Sequence, residues 1–205
     1  MIDVYLRCAP QNWIRGGMAI TCIAWWRDQL DVKLHIIAAE GSCLEEVSLD
    51  CLEEVSVARA KVLPLDNFHW ASRAYADTQA QSTPYVLTDD DRLPIGGKWL
   101  ERALALWNRH SDYTMLCPVS YIPVERPPEH VGADEVVGAN NSCGAPYFAA
   151  PHQIPYDTFA GPANQQDQIV CAWMRQHNVK HGWMRDVYNL HLGFGHSQVG
   201  PTGVY

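Results

Sequence analysis

No apolar run in the 205-residue chain approaches the roughly 20 residues that a membrane-crossing helix needs. The opening MIDVYLRCAPQNW also lacks the basic start and long apolar stretch of a secretory signal. No membrane insertion and a cytoplasmic location are therefore expected. The seven cysteines form an odd set without a CxxC pair, which excludes a disulfide scaffold or a cysteine zinc site as the organising device. Positive charge is scarce as well: 15 Lys and Arg stand against 23 Asp and Glu, a formal net charge of -8. A broad electropositive groove for nucleic acid is thereby disfavoured, and a phosphate-bearing ligand would need help from a metal.

What is present describes one globular unit. The hydrophobic share is 47% and the charged share 19%, neither a disordered tail nor a fibrous repeat. The length fits one domain over residues 1–205, with a donor-binding half over about 1–110 and an acceptor or catalytic half over about 111–205. The duplicated CLEEVS at 43–48 and 51–56 is too short for a solenoid repeat and leaves 43–57 open between helix and loop.

Short apolar runs alternate with amphipathic stretches, the pattern of an α/β domain with helices packed on a mostly parallel sheet. Strands are expected at 2–8, 33–40, 61–65, 85–88 and 114–122, a strand or hairpin within 138–150, and a last strand and loop from His181. Helices are expected over 16–30, 66–81, the segment after Pro94 through Asn108, and 164–177, with Asp66 or Asn67 capping the second.

The strongest chemical feature is YVLTDDDRLP at 85–94. A buried strand cannot keep three carboxylates in the core, so they must emerge at its C-terminal edge, where open α/β sheets place ligands. Along an extended backbone Asp89 and Asp91 share one face and Asp90 takes the other. Two oxygen ligands on one side suit Mg²⁺ or Mn²⁺ bridging nucleotide phosphates. The competing reading is a solvated acidic turn ahead of the following helix.

Residues 67–104, NFHWASRAYADTQAQSTPYVLTDDDRLPIGGKWLERAL, resemble the central segment of family 2-like glycosyltransferases with the GT-A fold, Rossmann-like in its sheet and helices. In that family a helix and an apolar strand run into a DxD-type motif, here Asp89-Asp90-Asp91. The resemblance implies a nucleotide-sugar donor, UDP- or GDP-linked, with Asp89 near the ribose or the metal, Asp90 at the donor site, and Asp91 on the metal. It also implies that Arg7, Ala9, Pro10 and Gln11 lie where the base and ribose are held, with Glu40 ending the second strand nearby. VYNLHLGFGHS (187–197) is similar to the stretch that supplies a metal-ligating histidine; His191 is the first choice and His196 the second.

Residues 146–178 are similar to the family's acceptor segment. Tyr156-Asp157-Thr158-Phe159 matches its turn, and Gln166-Asp167 stands where two acids are usual. Asp167 is then the catalytic base of an inverting transfer to an acceptor hydroxyl; its other reading is a helix-capping carboxylate. Of the tryptophans, Trp13 and Trp183 are candidates for stacking on a base or sugar, whereas Trp70, Trp99, Trp107 and Trp173 belong to helix cores.

Two other functions remain open. A nucleotidyltransferase would show a glycine-rich loop followed by a basic residue after the first strand, and only Arg15-Gly16-Gly17, in reversed order, hints at one. A binding module without catalysis is kept open by Gln166. The QxxRW motif of processive synthases is absent, since Trp173 and Arg175 stand in another arrangement.

Overall fold

A computed structural model describes residues 1–8, 13–42, 58–121, 135–138, 144–162 and 165–192. The candidates Ala9, Pro10, Gln11 and His196, and the duplicated CLEEVS, lie outside the described residues. Among the described residues nine strands form one sheet: β1 (Ile2–Cys8), β2 (Val32–Ala39), β3 (Ala58–Leu63), β4 (Tyr85–Asp89), β5 (Arg92–Ile95), β6 (Met115–Tyr121), β7 (Val136–Gly138), β8 (Tyr147–Ala149) and β9 (His181–His191). Their order is β3-β2-β1-β4-β8-β6-β9-β5, with β7 added on β9. Helices α1 (Trp13–Arg27), α2 (Phe68–Gln79), α3 (Trp99–Arg109) and α4 (Gln166–Gln176) flank it.

The first four strands of that order pair in parallel, as expected. In the second half only β6 and β9 pair in parallel; β8, β5 and β7 each enter antiparallel. Every residue of β1 is buried, the mark of a central strand covered on both faces. Its side chains divide by parity. Ile2, Val4, Leu6 and Cys8 join Cys22, Ile23 and Trp26 of α1 and Trp99, Ala103 and Leu106 of α3 in one core. Tyr5 joins Phe68, Trp70 and Ala76 of α2 and Val170, Cys171 and Met174 of α4 in the other. The result is a sheet sandwiched between two helix layers.

Two expectations are corrected. Helix α3 does not start after Pro94 but at Trp99, because Arg92–Ile95 forms strand β5 against β9. Among the described residues β5 is the last strand in the order, and an edge position tolerates a residue lacking an N–H. Gly96, with φ 92°, and Lys98, with φ 57°, then turn the chain into the helix. Asn67 occupies the N-cap of α2 but its side chain makes no capping hydrogen bond; a 3₁₀ turn over Leu65–Asn67 leads into the helix instead.

The end of the sheet opposite the acidic edge is tied together by Asp3. One of its carboxylate oxygens accepts from the N–H groups of Gln81 and Ser82, and the other lies 2.9 Å from His35 Nε2. This links β1, β2 and the approach to β4. The His35 ring in turn stacks on Tyr5 at a centroid distance of 4.5 Å.

Candidate functional site

Strand directions decide which residues share an edge. Because β8 reverses relative to β4 and β6 reverses relative to β8, β6 and its parallel neighbour β9 run with β1 and β4. The C-terminal ends of β1, β4 and β9 therefore face the same way. They bring Arg7, Asp89 and His191 to one edge, and the Asp90-Asp91 turn follows Asp89 there.

Strand β4 stops at Asp89, and Asp90-Asp91 is a turn, so the expected alternation along an extended chain does not carry through to Asp91. Asp89 is held by Arg7, whose Nε donates to Oδ1 at 2.7 Å. Burial raises the Asp89 pKa, but Arg7, Arg92 and His69 together outweigh burial and the neighbouring Asp91 charge and hold the carboxyl below its ordinary range. Asp91 has other partners. Its Oδ2 lies 3.3 Å from His191 Nε2 and its Oδ1 lies 3.6 Å from Arg92 Nε. Asp90 is buried, and its backbone oxygen accepts from the Cys22 thiol of α1 at 3.4 Å. Burial, then Asp90 and Asp91, push that thiol's pKa up to about 12.

The expected ligands Asp89, Asp91 and His191 are thus only partly united: Asp91 and His191 meet, while Asp89 is engaged by Arg7. Among the described residues, no group of three or more His, Cys, Asp or Glu side chains is gathered as a metal site. One carboxylate and one imidazole still suit Mg²⁺ or Mn²⁺, which commonly keep water and substrate phosphates as their other ligands. Glu40 ends up exposed just beyond β2. Trp183 packs partly buried on the core rather than standing free, and the Trp13 side chain is outside the described set.

Asp167 lies in the first turn of α4, yet it does not cap the helix. The N-cap is Gln165, which makes no side-chain cap bond, and Asp167 pairs with Arg73 of α2. Arg73 is 1% exposed. Its Nε donates to Gln166 Oε1 at 3.3 Å, and its guanidinium lies 5.2 Å from the Tyr147 ring centre and 6.0 Å from that of Tyr156. Burial works against its charge, but Tyr147 and Asp167 outweigh burial and raise its pKa above the ordinary value, so it stays a cation. Tyr156 and Asp157 of the 3₁₀ turn Tyr156–Thr158 also line an open cavity of about 510 Å³ with Asp77, His152 and Trp173.

Sequence reasoning overlooked Arg73, Arg92 and Cys22. Arg73 had a readable signal: Trp70, Arg73 and Asp77 fall at the i, i+3, i+7 spacing of the buried stripe of α2, where a charged side chain demands a partner. Arg92 and Cys22 act through contacts that no local pattern announces.

No protein-family model and no curated protein matches the chain. Solved structures do resemble it. TarS of S. aureus in complex with UDP-GlcNAc is 11% identical, with a TM-score of 0.63 over 95% of this chain and 61% of that one. GalNAc-T7 with UDP, GalNAc and Mn²⁺ is 11% identical, with a TM-score of 0.62 over 93% of this chain and 43% of that one. An apo UDP-glucose pyrophosphorylase is also 11% identical, with a TM-score of 0.57 over 97% of this chain and 96% of that one. The chain therefore spans less than two thirds of TarS and GalNAc-T7 but nearly all of the pyrophosphorylase. At this level of identity the likeness shows the fold, a mixed α/β sheet with flanking helices of the GT-A or Rossmann-like kind.

Proposed function

We propose that the chain is a metal-dependent glycosyltransferase that moves a sugar from a UDP- or GDP-linked donor to an acceptor hydroxyl with inversion. The observation that carries this reading is the meeting of Asp91 with His191 at the sheet edge where Arg7 already holds Asp89. The resemblance to TarS bound to UDP-GlcNAc and to GalNAc-T7 bound to UDP, GalNAc and Mn²⁺ supports it. Asp91 and His191 would hold Mn²⁺ or Mg²⁺, with Asp89 and Asp90 beside the donor. When bound, the ion supplies the positive charge that a departing diphosphate needs.

Asp167 does the proton chemistry in this reading. The acceptor oxygen bonds to the anomeric carbon as the bond from that carbon to the diphosphate breaks, and the hydroxyl proton passes to the Asp167 carboxylate. The test is consumption of UDP- and GDP-sugars with Mn²⁺, together with the melting temperature in UDP or GDP with Mn²⁺ or with EDTA. A ligand that binds only the native state raises the melting temperature. Metal-dependent stabilisation and release of nucleoside diphosphate are expected; equal stabilisation in EDTA, or no donor consumption, would overturn the reading.

Nucleotidyl transfer is the second reading, favoured by the near-complete mutual coverage with the pyrophosphorylase. It predicts pyrophosphate release from UTP and a sugar 1-phosphate. Such release, without transfer from nucleotide sugars, would decide for it.

A further inference from the structure

Asp167 has two carboxylate oxygens in different surroundings. Oδ1 is bound by Arg73. Oδ2 lies 2.9 Å from the position that a Cβ would take at Gly144, where the glycine leaves space. The Asp167 side chain is 37% exposed, so an acceptor can reach it, whereas Arg73 is enclosed by Tyr147 and Tyr156. A buried planar cation packed against two aromatic rings and bonded to a neighbouring amide has little freedom to follow a moving carboxylate. Gln166 matters here because it is neutral. With an amide at that position, Asp167 is the one carboxylate hydrogen-bonded to Arg73 among the described residues.

We propose that Arg73 is a positioning residue that locks Oδ1 of Asp167 and so presents Oδ2, across Gly144, as the oxygen that takes the acceptor proton. The proposal rests on the reading of Asp167 as the base. The acceptor O–H bond breaks, its proton moves to Oδ2, the new bond forms from the acceptor oxygen to the anomeric carbon, and the diphosphate departs with the bonding pair. Arg73 touches neither substrate in this step. Gly144 serves the same end, because any side chain there would meet Oδ2 while the clamp prevents the carboxylate from swinging aside.

The experiment compares Arg73→Lys and Gly144→Ala, each in the native chain and in the Asp167→Asn background. The readouts are kcat, donor KM and the UDP-Mn²⁺ melting shift. Arg73→Lys keeps the charge but loses the fork, and Gly144→Ala keeps the clamp but crowds Oδ2. Each is expected to lower kcat on the order of 10- to 100-fold, the cost of a misplaced group, with donor KM and the melting shift unchanged. In the Asp167→Asn background each should cost less than about 2-fold more, since residues acting through one group are not additive.

Losses that multiply in the double variants would overturn the proposal, because Arg73 would then act independently of Asp167. So would an unchanged kcat in Gly144→Ala, and that arm decides even where Arg73→Lys does not fold. A native chain that consumes no nucleotide sugar sinks the glycosyl-transfer reading and this assignment together. An active native chain with multiplicative losses sinks this assignment alone.

Discussion

Asp91 Oδ2 lies 3.3 Å from His191 Nε2, and the register of β5 on β9 explains why: Arg92 is paired with His191, so the residue before β5 meets the last residue of β9. The contact is reinforced where Leu192 N–H donates to the Asp91 carbonyl at 2.8 Å. Metal binding should follow this pair. His191→Ala and Asp91→Asn are each expected to weaken Mn²⁺ affinity on the order of 10-fold or more while the unfolding transition stays cooperative, as measured by titration calorimetry. Unchanged affinity in His191→Ala would remove the imidazole from the site.

Asp167→Asn keeps the shape of the side chain but removes its basic oxygen. Transfer should fall on the order of 10²- to 10⁴-fold while UDP-Mn²⁺ binding survives, because the groups proposed to hold donor and metal lie at the ends of β1, β4 and β9 rather than on α4. The product's anomeric configuration is the companion measurement. Retention, or near-native turnover in the variant, would leave Asp167 without the assigned role.

Arg7 is 5% exposed and stands between the Asp89 carboxylate and the backbone of α2, where its Nη1 reaches the His69 carbonyl at 3.5 Å. Arg7→Met would leave Asp89 beside Asp91 without that counter-charge. Breaking such an inward pair should cost about 3 kcal/mol in a denaturant titration. A loss of only a few tenths would mean that solvent screens the pair.

Acid should loosen the opposite edge in two stages. Burial lowers the His35 pKa from its ordinary 6.5 despite the Asp3 bond, so the folded chain prefers the neutral ring. Its contribution is intact above about pH 6.5 and erodes as pH falls below that value. Burial raises the Asp3 pKa, but the His35 bond and the Gln81 N–H outweigh it and leave the pKa below 3.8. That contribution is intact above about pH 3.8 and is lost as pH falls through the lower folded value. His35→Gln should flatten the stability-pH curve between roughly pH 6.5 and 4, and Asp3→Asn should cost about 1–3 kcal/mol at neutral pH. A parallel curve for His35→Gln would contradict this account.

Much of the fold was legible because the central strands are written locally. IDVYLRC and YVLT are mostly apolar runs of the kind a doubly covered strand requires, and His191 is singled out by the resemblance of VYNLHLGFGHS and preferred over His196 because it follows the last expected strand. β5 was not legible: RLPI pairs with a segment remote in sequence, and its proline looked like a helix entry. The alternation that placed Asp89 and Asp91 together holds only while the backbone stays extended, and β4 ends at Asp89, so the position of Asp91 is set by the turn and by β9 instead. Arg73 escaped because its partners, Gln166 and Asp167, reach it only across two packed helices.

The Cys22 thiol, lodged between the carbonyls of Asp90 and Arg92, makes the acidic turn its own clock. A buried thiol with a pKa pushed up to about 12 offers almost no thiolate to an alkylating reagent while the turn is closed. Labelling at this position must therefore wait for α1 and the turn to separate. The rate of that reaction, followed by mass spectrometry on the peptide carrying Cys22, reports how often the acidic edge opens, and a ligand gripping the turn would slow it in proportion to its occupancy.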